Sequence, residues 1–247
     1  MLTHRQPLEA MVRRFQRYAG LSPEDCRLLR ELPFKLRELQ PSAYFIREAD
    51  APTHCGLLVS GFAFRQKVTG DGARQIVGLY MPGDAIDLQN LFLEVADHSV
   101  QTLTPAEICY IPREALRDLA LSRPKIAHAL SVAAVIDGSI FREWVLNVGR
   151  RDSRTRMAHL LCEVAVRLQS DQIADDFAFD LPMTQEQLAD ALGLTSVHVN
   201  RTLQSLEADG LISRSRRRVT IPDWKQLRDA GDFNQRYLHL DQQPQAA

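Results

Sequence analysis

Apolar and polar positions along the chain follow two rhythms. Over residues 7–32 the apolar side chains recur at three- and four-residue steps, with Leu28, Leu29 and Leu32 on one face, which predicts helix. Ser22-Pro23-Glu24-Asp25 supplies a start signal: the serine caps, the proline fits the first turn, and the acids meet the positive helix end. Over residues 40–111 the rhythm shortens. CGLLVSGFAFRQKV and RQIVGLYM are rich in apolar and β-branched residues, and the Asp71-Gly72 between them signals a hairpin. Pro82-Gly83-Asp84 marks another turn, and HSVQTLTPAEICYIP adds strand material. Short strands at this spacing predict an antiparallel sandwich or barrel-like roll.

PREALRDLA resumes helix, and a long helix is predicted over 124–148. Its Ile126, Leu130, Ala133, Ile140 and Trp144 form a seam that fits either a second helix or the chain's own domain. Asp137 interrupts that seam, either to set a pairing register or to face water. The charged run GRRDSRTR marks a domain boundary. The remainder to residue 225 predicts helices closed by a short strand pair, and the polar tail DQQPQAA predicts disorder.

Composition narrows the classes. A 247-residue chain with 45% hydrophobic and 25% charged residues reads as a globular protein of more than one domain. The net charge of −1 argues against a wholly basic nucleic-acid binder but leaves room for one basic face. The four cysteines, at 26, 55, 109 and 162, form no C-x-x-C pair, so neither a closed cysteine zinc site nor a clustered iron–sulfur site is expected. Reduced thiols, an N-terminus without a signal-like apolar region, and the absence of a spanning apolar run predict a cytoplasmic protein with no membrane partner.

The chemistry concentrates in MTQEQLADALGLTSVHVNRTLQSLEADGLI. Thr184 and Gln187 make a capping box at one helix; Gly193 permits a tight turn; Thr195 caps a second helix whose inner face is Val199, Leu203 and Leu206. Helix, glycine turn, helix is the helix-turn-helix pattern, whose second helix enters the DNA major groove. Its outer face carries Ser196, Val197, His198, Asn200 and Arg201. Arg201 can donate twice to a guanine edge, Asn200 can pair with adenine, and Val197 can touch a thymine methyl. Ser196 joins these as a base reader, whereas Thr184, Gln185, Thr195 and His198 are placed for phosphates. LISRSRRRVTIP then reads as a hairpin wing, with Arg214, Arg216, Arg217 and Arg218 suited to the DNA backbone.

Other candidates are weaker. His54-Cys55 is a possible haem or thiol-sensor pair, but a strand puts one inward and one outward. His159, Cys162 and Glu163 have metal-capable helical spacing with no evident fourth ligand, so helix packing is preferred. Cys109 reads as a β-core thiol. The chain has no G-x-S-x-G, G-x-x-x-x-G-K-[ST] or H-E-x-x-H, so no enzyme is expected. The competing class is a dimeric ligand-binding or protein-interaction module whose winged helix contacts protein; an apolar patch on that helix would favour it.

The helix-turn-helix segment, together with GLYMPGDAIDLQNLF and DSRTRMAHLL, resembles the Crp/Fnr family of bacterial transcription regulators over about residues 20–225. The resemblance implies an α+β chain: a cyclic-nucleotide-binding-like β-roll over 20–121, a dimerisation helix over 122–149, and a winged helix-turn-helix over 150–225. It implies a homodimer on a two-fold symmetric double-stranded DNA site, a signal read by the roll and passed through the hinge over 149–154, and RNA polymerase as a partner if the chain activates. Departures from the family are informative. Where cyclic-AMP-binding members carry Gly-Glu and Arg-Ser pairs, this chain has Asp87-Leu88 and His98-Ser99, and the family's pair on the dimer helix falls at Phe141-Arg142. An effector pocket at those six residues is expected to reject cyclic AMP. The N-terminal cysteines of iron–sulfur members are missing, so no cofactor is expected. The family's usual recognition-helix glutamate is Val197 here while its arginine stays as Arg201, which predicts an altered palindrome.

Overall fold

A computed structural model describes residues 7–168 and 176–241. The tail whose disorder is expected lies outside these residues, Asp241 excepted. The predicted opening helix is two helices. Glu9–Ala19 (α1) ends where Gly20 turns left-handed, and Pro23–Arg30 (α2) begins on Ser22. That cap is reciprocal: Ser22 Oγ accepts from the Asp25 amide and the Asp25 carboxylate accepts from the Ser22 amide, both at 3.1 Å.

Eight strands follow: Lys35–Leu39 (β1), Tyr44–Ile46 (β2), His54–Ser60 (β3), Ala63–Val68 (β4), Arg74–Tyr80 (β5), Ala85–Ile86 (β6), Ser99–Thr102 (β7) and Ala106–Pro112 (β8). They form two four-stranded sheets ordered β1-β8-β3-β6 and β2-β7-β4-β5. The β4–β5 turn is the one announced by Asp71-Gly72, with Gly72 at φ 89. Side chains alternate as strands require. Along β3 and β8, Leu58 and Ile108 enter a cluster with Ile86 and Val100. Their neighbours Leu57 and Cys109 face a second cluster, with Phe15 of α1 and Leu29 of α2. Burying each such aliphatic side chain contributes roughly 1.5–3 kcal/mol. The same alternation puts half-buried His54 and fully buried Cys55 on opposite faces of β3.

Arg113–Ser122 (α3) leads to Pro124–Arg150 (α4). The first half of the predicted seam packs within its own unit, where Ile126 and Leu130 join the second cluster. Trp144, further along, is buried as well. The exposed apolar residues of α4 are different ones: Val135, Phe141, Val145 and Leu146. Val135, Gly138, Phe141 and Val145 recur at three- and four-residue steps and so share a side.

The chain continues through Ser153–Leu168 (α5), Phe177–Asp180 (β9), Gln185–Leu192 (α6), Ser196–Ala208 (α7), Ser213–Ser215 (β10), Arg218–Ile221 (β11) and Trp224–Ala230 (α8), then a 3-10 turn at Gln235–Leu238. The expected strand pair is a three-stranded sheet, β10-β11-β9. β9 was read as helix, yet Phe179 pairs with Val219 and is buried beside it. Two compact units result, residues 7–66 with 79–138 and residues 67–78 with 139–240, and α4 contributes to both. Among the described residues no single helix is long and apolar enough to cross a membrane.

Candidate nucleic-acid interface and effector cluster

Local chemistry builds the helix pair. Thr184 Oγ1 accepts from the Gln187 amide at 3.2 Å, and the Gln187 side chain accepts from the Thr184 amide at 2.8 Å. Gly193 closes α6 in the left-handed region, φ 63, where a side chain would be strained. Arg156, which the sequence did not single out, donates to the Leu192 carbonyl at 2.9 Å and caps the same helix end. Thr195 Oγ1 then accepts from the His198 amide at 3.2 Å and starts α7. Val199, Leu203 and Leu206 bury the inner face.

The outer face is as expected. Ser196, Val197, His198 and Arg201 are exposed, and Val197 keeps 64% of its surface in solvent. Asn200 is half-buried and accepts from Gln185 Nε2 at 3.3 Å, so these two polar groups hold each other at the rim of the helix pair. Arg201 makes no ion pair among the described residues, and it lines a concavity of about 390 Å³ with Arg154, Val197 and His198. Free cation, apolar contact and imidazole are thus presented together.

The wing divides its arginines. Arg216, with φ 58, and Arg217 form the β10–β11 turn, are exposed, and make no ion pair among the described residues. Arg214 instead donates to Glu207 of α7 at 2.6 Å, and that hydrogen bond holds the Glu207 pKa below the ordinary carboxylate value. Arg218 lies 3.9 Å from Asp180 of β9. The sequence run has no acid in it, but the fold brings acids from α7 and β9 to two of its four arginines. The uncommitted positive charge is therefore at the wing tip.

The expected effector residues separate. Asp87 and His98 meet inside the roll, with His98 Nε2 2.9 Å from Asp87 Oδ1. His98 Nδ1 lies 2.6 Å from Asp97 Oδ1. Both ring nitrogens face carboxylates, an arrangement only the imidazolium satisfies. Burial alone would lower the His98 pKa; the Asp87 hydrogen bond and charge outweigh it and hold the value above the ordinary one. Leu88 packs against the second apolar cluster, and Ser99 Oγ accepts from the Glu48 amide. Phe141 and Arg142 are exposed on α4 and belong to the other compact unit. The residues that do join Asp87 are ones sequence reasoning did not connect with it: Arg65 of β4, Tyr80 of β5 and, through Arg65, the Asp137 of α4 that interrupts the predicted seam. Tyr80 Oη donates to Asp87 Oδ1 at 2.9 Å and accepts from Arg65, whose other terminal nitrogen donates to Asp137 at 2.9 Å. No sequence signal links them, because three elements and the 87–98 segment that carries Asp87 and His98 supply the set.

A second buried network sits in the other unit. Glu163 of α5 accepts from Trp144 Nε1 at 3.0 Å and from Tyr237 Oη at 2.8 Å, and pairs with Arg167 at 3.1 Å. His159 donates through Nδ1 to the Gly231 carbonyl at 3.1 Å and faces Tyr237 Oη at 3.1 Å through Nε2. Gly231 is required there: a Cβ would sit 2.8 Å from the His159 amide nitrogen. His159 and Glu163 are thus committed to hydrogen bonds, while Cys162 between them is fully buried. Burial, with Arg151 nearby, lowers the His159 pKa.

Residues 36–123 match the profile of the cyclic nucleotide-binding domain, and residues 155–230 that of the Crp-like helix-turn-helix domain. The transcriptional activator protein FnrL of Cereibacter sphaeroides is 30% identical over 79% of this chain and 80% of its own. The chain belongs to the Crp/Fnr family of transcription regulators. The nitrogen fixation regulation protein FixK of Azorhizobium caulinodans is 32% identical over 70% of this chain and 69% of its own. In fold, the regulator resembles FixK2 of Bradyrhizobium japonicum, with a TM-score of 0.73, 21% identity, and coverage of 81% of this chain and 98% of that one. It is a DNA-binding transcription regulator with a β-roll and a winged helix-turn-helix, and not an enzyme.

Proposed function

We propose that the regulator binds a palindromic DNA site as a cytoplasmic homodimer and recruits RNA polymerase as an activator. The exposed α7 face carries the DNA reading: Val197 and an Arg201 without an ion pair among the described residues, with the Arg216–Arg217 wing tip supplying backbone charge. The exposed apolar side of α4 supports joining through that helix, since such a patch is otherwise left to water. The names of FnrL and its relatives support activation. Cyclic AMP is no part of this function. A phosphate entering beside Asp87 would meet a fully buried carboxylate, and the Arg65 guanidinium is already held between Asp87 and Asp137.

Selection of bound duplexes from a random library is the test. An enriched inverted repeat is expected. On that repeat, Arg201→Ala should cost about 1–3 kcal/mol and relax one base position. Arg217→Ala should weaken all sequences alike and flatten the salt dependence. Absence of any enrichment, with non-specific binding also absent at low salt, would instead support the protein-interaction module.

A further inference from the structure

A continuous run of polar contacts crosses the roll from the 87–98 segment to α4, with Asp87 at its centre. Asp87 has a left-handed backbone, φ 57, and a fully buried side chain. Its Oδ1 faces Tyr80 Oη and His98 Nε2 at 2.9 Å each, and Arg65 Nη2 at 3.7 Å. Arg65 is itself largely buried, and its outer contact is Asp137, the lone carboxylate of the middle of α4. From Asp137 the helix runs unbroken to Arg150.

A buried charge cluster is a poor way to gain stability, since apolar side chains of equal volume often do as well. This one is also incompletely satisfied, because Asp87 Oδ2 and Arg65 Nε have no hydrogen-bond partner among the described residues. What it does provide is one fixed direction for Arg65. Without the Asp87 carboxylate, the guanidinium and the His98 imidazolium would face each other with no anion between them. An ion of the right size would then be drawn to that place.

We propose that Asp87 is a positioning residue, a built-in anion that aims Arg65 at Asp137 and so holds α4 without a diffusible anionic effector. The consequence for DNA rests on the function proposed above; the hold on α4 does not.

The test compares the full-length parent with Asp87→Ala and Asp137→Ala. DNA affinity is one readout, and hydrogen exchange of the α4 peptides around residue 137 is the other. Asp87→Ala is expected to lose about tenfold in affinity, within the usual range of coupling between sites, and to exchange faster in α4. Formate, at constant ionic strength, is expected to reverse both changes in Asp87→Ala and to alter neither in the parent. Asp137→Ala, at a half-exposed helical position, should fold normally and show a similar loss that is not additive with Asp87→Ala. A folded Asp87→Ala with parental affinity and exchange overturns the proposal. So does a loss that formate leaves untouched, which would reduce Asp87 to packing. If Asp87→Ala does not fold, parental exchange in Asp137→Ala overturns it. A parent that selects no DNA removes the proposed function, while the exchange and formate readouts still decide the role of Asp87.

Discussion

Among the described residues each compact unit buries one histidine in a polar network, and the two networks solve the burial problem in opposite ways. Around His98 the ring is the cation: Asp87 and Asp97 flank it, and its pKa is raised. Around His159 the shift is downward: the ring faces a carbonyl and a phenol, burial and nearby Arg151 outweigh the Glu143 carboxylate 3.6 Å from Nε2, and the positive charge beside Glu163 comes from Arg167. A buried histidine thus has no fixed meaning. The balance of burial against nearby charges sets the direction of its pKa shift, and that balance comes from the fold.

Removing the anion from the His159 network should break the comparison most severely. Glu163→Ala leaves Trp144 Nε1, Tyr237 Oη and Arg167 without their shared acceptor, at a site 1% exposed. A loss of about 3–5 kcal/mol is expected, read by urea unfolding, because one partner of a buried pair is left behind. Glu163→Gln keeps an acceptor and should cost less. Equal losses would mean that the charge at Glu163, and not the acceptor that glutamine keeps, carries the effect.

Acidity should sharpen the comparison. The raised His98 pKa contributes stability that is present below about pH 6.5 and is lost as pH rises through the folded-state value. The lowered His159 pKa works the other way, with stability present above about pH 6.5 and lost as pH falls. The gap in unfolding free energy between parent and His98→Gln should therefore shrink on going to higher pH. The gap between parent and His159→Gln should shrink on going to lower pH. Neither should change faster than about 1.4 kcal/mol per pH unit. Two gaps moving in the same direction would show that the charge states are misassigned.

The smallest effect is expected at the thiols. Burial pushes the Cys55 pKa up to about 12 and raises that of Cys162 as well. Neither should react with iodoacetamide at neutral pH while its unit is folded. Each then reports the opening of its own unit by mass spectrometry. In Glu163→Ala the labelling of Cys162 should accelerate while that of Cys55 does not.

The legible parts of this regulator are those whose causes lie close together in sequence. Both caps of the helix pair, the Gly193 turn and the inner face of α7 each depend on residues within a few positions, and all stand as expected. The wing was legible as a hairpin but not as a charge distribution, because Glu207 and Asp180 belong to other elements. β9 is only four residues long and gains its stability from pairing with β11, so its own pattern does not distinguish it. The Asp87 network was half legible. Asp87 and His98 could be singled out by resemblance, but Arg65 and Asp137 are 72 residues apart, and nothing short of the folded roll brings them together.

Glu163 also imposes an order on the birth of the molecule. A ribosome makes Glu163 74 residues before Tyr237, the phenol that caps it. Trp144 is already made by then, so α4 and α5 can engage early, but the carboxylate and His159 wait for Gly231 and Tyr237. Nascent or truncated chains that stop at the wing would carry the whole α7 surface on an unfinished support. A cell that clears unfinished chains would thereby remove DNA-reading fragments before they occupy sites meant for the complete regulator.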